Sequence, residues 1–341
     1  MTGTAAAEPP IAQPLVEVVN LRRVFRSGHR FGLGRFGFGQ RLECRAVDGV
    51  TLTINRHETF GLVGESGCGK STLGKLILDL LAPSDGRLLF AGRAPGDWGK
   101  RAFRRRAQLV FQDSLGALDP RLSVLAQVRE PLDIHDIGPR AERNAEAARM
   151  LEEVGLGAAF HGRYPHQLSG GQQQRAVIAR ALVLKPDFVV CDEPVSALDV
   201  SIQAQVINLL QDMQARYGLT YLFISHDLSV VRHSADRIGV MYLGRLVELA
   251  DGETLFERPL HPYTRALIAA VPIPDPRKRR AQHSLRGDPP SPFAPPPGCR
   301  FHTRCPHAEA RCRDEDPVLR AVGGGHAVAC HLAETLAEGP A

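Results

Sequence analysis

Residues 64–71 read Gly-Glu-Ser-Gly-Cys-Gly-Lys-Ser, continue with Thr72, and fit the pattern G-x-x-x-x-G-K-[ST]. This stretch constrains the fold most, because the pattern acts only where a strand turns into a helix. Both flanks are present. Thr59–Val63 is an apolar run of strand length, and Leu73, Leu76, Ile77, Leu80 and Leu81 recur at helical spacing. Glycines let the backbone curl with its N–H groups inward, and a helix N-terminus adds partial positive charge, so the expected guest is a phosphate. Gly64, Glu65, Ser66, Gly67, Cys68, Gly69, Lys70, Ser71 and Thr72 form the candidate cradle. Lys70 is expected to reach the β- and γ-phosphates and the Ser71 hydroxyl to ligate Mg²⁺.

Further along, residues 188–193 form an apolar run that ends in two carboxylates, Asp192 and Glu193. A buried parallel strand reads this way, and its C-terminal tip faces the ligand of an open α/β sheet. Asp192 is then placed to hold the Mg²⁺ shell and Glu193 to polarise the attacking water. A solvated loop or a helix cap also supplies adjacent acids; the phosphate loop upstream decides between the readings. Between the two motifs lies Leu-Ser-Gly-Gly-Gln at 168–172, ahead of an expected helix over 173–184. Ser169 and Gly171 can offer a hydroxyl, backbone N–H groups and a helix dipole to an anion, although an ordinary cap looks similar.

The order of these motifs resembles that of the ATP-binding cassette (ABC) ATPases, the nucleotide-binding subunits of ABC transporters, over most of residues 15–270. The resemblance implies an α/β P-loop NTPase core, an N-terminal antiparallel β subdomain and an inserted α-helical subdomain at about 113–185. It implies ATP and Mg²⁺ as cofactors. Ser169, Gly170, Gly171 and Gln172 would contact the γ-phosphate of ATP held by a second ABC ATPase subunit, identical or different. Gln112, after the strand-like 108–111, matches the Q-loop glutamine that touches Mg²⁺ and the attacking water. Ser196 to Asp199 matches the D-loop at the dimer interface, and His226, closing 221–224, matches the switch histidine. Glu193, His226 and Gln112 are thus the implied catalytic set. Phe25, at the end of the strand-like 16–24, is the candidate adenine platform; Phe31, Phe36 and Phe38 in an insertion over 27–45 compete with it. Transmembrane permease subunits are the implied partners, with residues 113–121 beside the groove for their coupling helix. An extracellular solute-binding protein is an indirect partner.

Composition sets limits. The chain has 341 residues, enough for more than one domain, and a net charge of +5, too modest to argue for a nucleic-acid groove. No apolar run nears the roughly 20 residues that span a bilayer. Residues 1–14, expected to be disordered, lack a basic start followed by an apolar core, so the chain is expected to be neither exported nor inserted. The implied location is the cytoplasmic face of the inner membrane, as a peripheral subunit. Arg101, Arg104, Arg105 and Arg106 read as a solvated basic face. Residues 142–154 read as a helix capped by Gly155, and the absence of a heptad insertion counts against chromosome-maintenance and repair relatives.

After His261-Pro262-Tyr263-Thr264, residues 271–298 form a proline-rich linker that suits neither a helix nor a central strand. Four of the seven cysteines follow in 299–341: Cys299, Cys305, Cys312 and Cys330, with gaps of five, six and seventeen. In a reducing compartment clustered thiols point to metal before disulfide. These gaps exceed those between paired zinc ligands, whereas four thiolates suit a [4Fe–4S] cluster; zinc or free thiols are the alternatives. His302, His307, His326 and His331 are read as structural, Cys44 as a loop residue, and Cys68 and Cys191 as small residues that fit. The His-Pro-Tyr segment and the cysteine block resemble the C-terminal extension of oligopeptide and dipeptide permease ATPases, some of which carry such a cluster. The implied function is an ATPase that powers import of di- or oligopeptides. The alternatives are the same motor for nickel or glutathione, or a soluble ABC ATPase outside transport.

Overall fold

The computed structural model describes residues 14–26, 42–271 and 287–337. The expectations for residues 1–13, for Phe31, Phe36 and Phe38, and for most of the linker lie outside the described residues. In chain order the strands are β1 (Pro14–Arg26), β2 (Glu43–Asn55), β3 (Thr59–Val63), β4 (Asp85–Phe90), β5 (Ala107–Val110), β6 (Phe188–Asp192), β7 (Thr220–Ser225), β8 (Arg237–Tyr242), β9 (Arg245–Asp251), β10 (Arg320–Gly323) and β11 (His326–Val328). They form a three-stranded antiparallel sheet, β2-β1-β4, and an eight-stranded sheet, β10-β11-β9-β8-β3-β7-β6-β5.

From β5 to β8 every pairing of the large sheet is parallel. Such strands are covered on both faces, and their side chains divide accordingly. Val189, Cys191, Tyr221 and Phe223 join one core with the helical segments, while Phe188, Val190, Leu222 and Ile224 join another with the small sheet. The first core is filled from Val124–His135, Arg140–Glu153 and Gly170–Leu182 by residues such as Val128, Met150, Leu151 and Val177. Among the described residues no helix is long and apolar enough to cross a membrane.

Several local expectations shift. The helix expected to start at 173 starts at Gly170, because Ser169 Oγ accepts from Gln172 N–H (3.4 Å) while the Gln172 side chain accepts from Ser169 N–H (3.0 Å). Gly170 and Gly171 therefore belong to its first turn. Cys44 sits in β2, opposite Phe25, rather than in a loop. The arginine run forms the helix Lys100–Arg106 and is only partly a solvated face. Arg104 donates to the Leu78 and Asp79 carbonyls, and Arg106 pairs with Asp187 and lies 4.2 Å over the Trp98 ring.

The C-terminal region is built into the core sheet. β11 pairs antiparallel with β9 in the register Val328↔Glu248, and β10 closes that edge. Beneath this joint Glu248 is fully buried; its carboxylate accepts from Leu260 N–H (2.6 Å) and His261 N–H (3.0 Å) and meets His326 Nε2 at 2.8 Å.

Candidate active site

Sheet order alone gathers the candidate residues. β3, β7, β6 and β5 lie side by side and parallel, so their C-terminal ends form one row. The phosphate-loop sequence follows β3, His226 follows β7, Asp192 and Glu193 end β6, and Gln112 follows β5.

The loop returns into the helix Lys70–Ile77 through Gly69, whose φ of 109° is left-handed. A Cβ there would lie 2.0 Å from the Ala46 carbonyl oxygen, and one at Gly64 would lie 2.1 Å from that of Met241, so only glycine fits either position. Lys70 is buried, and its ammonium donates to Gly64 O (2.7 Å) and Glu65 O (3.0 Å). Next along the helix, the Ser71 hydroxyl donates to Asp192 Oδ1 (2.8 Å) and joins the loop to the acidic strand end. Burial, and then the adjacent Glu193 charge, push the Asp192 carboxyl above its ordinary range. A hydroxyl beside a desolvated carboxylate is a donor set that suits a hard divalent cation such as Mg²⁺.

Glu193 adopts a φ of 47°, unusual for a side chain with Cβ, and its N–H donates to Ile224 O (3.0 Å). Its Oε2 accepts from Gln112 Nε2 (3.1 Å) and faces His226 Nδ1 at 3.0 Å. Two residues nominated from separate parts of the chain, Gln112 and His226, thus converge on one carboxylate oxygen of a third, Glu193.

Ser169, Gly170, Gly171, Gln172 and Asp199 form a second group. Ser169 and Gly170 are exposed, and the Ser169 hydroxyl caps its own helix. The helix Val200–Tyr217, with Asp199 as its N-cap, packs against this turn: a Cβ at Gly171 would stand 2.7 Å from Ile202 Cγ2. Phe25 joins neither group through its ring, which lies 4.7 Å from the Arg23 guanidinium.

Each residue of the His-Pro-Tyr segment has a physical part. His261 is buried, and burial pushes its imidazole down to about 4, so it is neutral and accepts from Tyr263 N–H (3.0 Å) to cap the helix Pro262–Ala269. Pro262 opens that helix at a position needing no N–H donor. The Tyr263 hydroxyl accepts from Glu65 N–H (2.9 Å), and Arg304, not singled out by any motif, clamps the Glu65 carboxylate at 2.7 and 3.1 Å. No local signal announces Arg304, because its partner lies 239 residues away.

Cys299, Cys305, Cys312 and Cys330 line one small cavity together with His261, Phe301, His302 and His331. None of the four is in a disulfide. Burial pushes Cys299 up to about 12 and Cys330 up to about 11, and the neighbouring thiols add to both shifts. Among the described residues no three His, Cys, Asp or Glu side chains are gathered as a set to hold a metal ion.

A phosphate loop joined to a carboxylate at the end of the next strand but one defines a P-loop nucleotide hydrolase. The family described as ABC transporter matches residues 47–196, and that described as oligopeptide/dipeptide transporter, C-terminal region, matches 247–312. The oligopeptide transport ATP-binding protein AppF of Bacillus subtilis is 49% identical over 308 residues, covering 87% of this chain and 93% of AppF. The structure of cbiO1 of Clostridium perfringens, part of the ABC transporter complex cbiONQ, matches with a TM-score of 0.60 at 27% identity, covering 72% of this chain and 91% of that one. The dimeric bacterial ABC transporter cassette MJ0796 also gives 0.60, at 29% identity and 69% and 98% coverage. The chain belongs to the ATP-binding subunits of ABC transporters, in the oligopeptide/dipeptide branch, and is an ATPase that associates peripherally with a membrane through permease subunits.

Proposed function

We propose that this subunit powers import of di- or oligopeptides from the cytoplasmic face of the membrane, beneath permease subunits fed by an extracellular solute-binding protein. The reading rests on the match of 247–312 to the oligopeptide/dipeptide region and on the name borne by AppF. The same motor serving nickel or glutathione is the alternative. Co-purification with the permease subunits, followed by mass spectrometry of bound solute, is expected to yield short peptides. Recovery of a metal chelate or glutathione instead overturns the cargo.

In the proposed cycle two cassettes face each other head to tail. Residues 64–72 cradle the phosphates, and Ser71, Gln112 and Asp192 hold Mg²⁺, which supplies charge neutralisation when bound. Glu193 orients and deprotonates the attacking water, with Gln112 and His226 holding its carboxylate. Ser169, Gly170, Gly171 and Gln172 contact the γ-phosphate on the opposite subunit, Asp199 lines the interface, and Phe25 offers a ring to adenine. The observation that carries this scheme is the convergence of Gln112 and His226 on Glu193 Oε2 at the row of strand ends that also bears the phosphate loop. Loss of the γ-phosphate removes the contact that favours the closed dimer, which then reopens.

A second site is proposed on Cys299, Cys305, Cys312 and Cys330, because all four thiols open on one cavity. A [4Fe–4S] cluster would be held by these residues; their thiols would have to deprotonate on binding. Anaerobic purification is expected to give a brown protein containing iron and sulfide. A colourless, iron-free preparation rejects the cluster, and zinc in its place identifies the other ligand set.

A further inference from the structure

All polar groups of Glu65 are engaged. Its N–H donates to the Tyr263 hydroxyl (2.9 Å), its carbonyl accepts from Lys70 Nζ (3.0 Å), and its carboxylate takes both terminal nitrogens of Arg304 (2.7 and 3.1 Å). Glu65 is the second residue of the phosphate loop, whereas Tyr263 lies far downstream in the helix Pro262–Ala269 and Arg304 further on, in the segment that carries the cysteines. Both are set in an aromatic cluster: the Tyr242 and Tyr263 ring centroids are 4.7 Å apart, and Phe301 lies 5.3 and 5.4 Å from them. The Arg304 side chain is 5% exposed and that of Glu65 25%, so the pair is half-buried rather than a fully solvated surface ion pair.

A second connection runs beside the first. The turn joining β8 to β9 places Leu243 at φ 42° and Gly244 at φ 83°, the left-handed pair of a two-residue hairpin. Gly244 N–H donates to Cys68 O (2.8 Å), and the buried Arg300 donates to Leu243 O while pairing with Asp48 of β2. Two arginines of the C-terminal region thus grip the loop, one directly and one through the hairpin tip.

We propose that Arg304 and Tyr263 are positioning residues of the phosphate loop, fixing the carboxylate and the amide of Glu65 from outside and thereby setting the affinity for MgATP. The inference rests on the reading of 64–71 as the phosphate-binding loop. A rigid fork on the carboxylate and a hydroxyl on the amide hold the Glu65 peptide in one orientation. The carbonyl of that peptide is bonded by Lys70, so the lysine's resting place is set by the same unit. Preorganisation lowers the cost of ordering the loop around phosphate and strengthens binding without touching the reacting atoms.

Steady-state hydrolysis by the full chain tests this. Arg304→Met is expected to raise KM for MgATP about five- to tenfold, the shift expected from losing part of one charge-assisted hydrogen bond, with kcat within about twofold. Tyr263→Phe keeps the packed ring, removes only the acceptor, and is expected to raise KM about two- to threefold. Arg304→Lys, lacking the fork, falls between wild type and Arg304→Met. Glu65→Gln combined with Arg304→Met is expected to be no worse than the worse single variant, as for groups acting through one contact. Lys70→Ala separates the two claims. If it abolishes hydrolysis while Arg304→Met and Tyr263→Phe leave KM unchanged, or while the Glu65 and Arg304 effects simply add, the positioning role is overturned. If Lys70→Ala still hydrolyses ATP, the phosphate-loop assignment falls and the inference with it.

Discussion

Glu193→Gln is expected to lower phosphate release about 10²- to 10⁴-fold while ATP binding stays within about twofold, because the change removes a proton acceptor and little else. Glutamine keeps the size of the side chain and an oxygen for Gln112 Nε2 and His226 Nδ1, which meet Glu193 Oε2 at 3.1 and 3.0 Å. The backbone constraint at φ 47° is also retained, since the Glu193 N–H bond to Ile224 O involves no side-chain atom. Binding by fluorescent nucleotide titration and turnover by phosphate release separate the two effects. With ATP and Mg²⁺ the variant is expected to accumulate as a dimer on size-exclusion chromatography. Phosphate release at the wild-type rate removes Glu193 from the role of base.

The second large effect is on stability. Glu248→Ala is expected to destabilise the chain by about 3–5 kcal/mol, the range for deleting one member of a buried, hydrogen-bonded charged group. The substitution strands the N–H groups of Leu260 and His261 and the ring of His326 in a dry interior. It strikes where β11 joins β9 and where the His-Pro-Tyr helix begins, so two C-terminal attachments loosen together. Denaturant titration against Glu253→Ala, an exposed position expected to change stability by less than about 0.5 kcal/mol, provides the measure. A cost for Glu248→Ala below about 1 kcal/mol means that water reaches the carboxylate's former partners and the joint is not dry.

Much of the candidate site is legible in the sequence because each piece is local. The phosphate loop, the strand end at Asp192 and the positions of Gln112 and His226 each announce themselves within about ten residues, through apolar runs and turn chemistry. Their assembly then follows from parallel strand order, which the resemblance implies and the sheet shows. The expected helix start at 173 misses Gly170 by three residues for a local reason: glycines read as loop, yet the Ser169–Gln172 capping box outweighs their low helix propensity. Arg104 and Arg106 depart from a solvated face for another reason, since nothing in a run of arginines says that the Leu78 carbonyl and Asp187 lie within reach. The contacts of the C-terminal region are invisible for a third. Arg304 finds Glu65 and Arg300 finds Asp48 across more than two hundred residues, and no periodicity encodes such a pairing.

The attachment of β11 to β9 bears on how this chain tolerates trimming. A strand whose outer N–H and C=O groups are already paired is protected from adding a stranger's backbone. Cutting the chain before residue 287 would strip β9 of β11 and β10 and present its outer rim to other molecules. The cysteine-bearing tail therefore serves as a selvedge for β9, leaving the four-residue β10 as that border of the sheet.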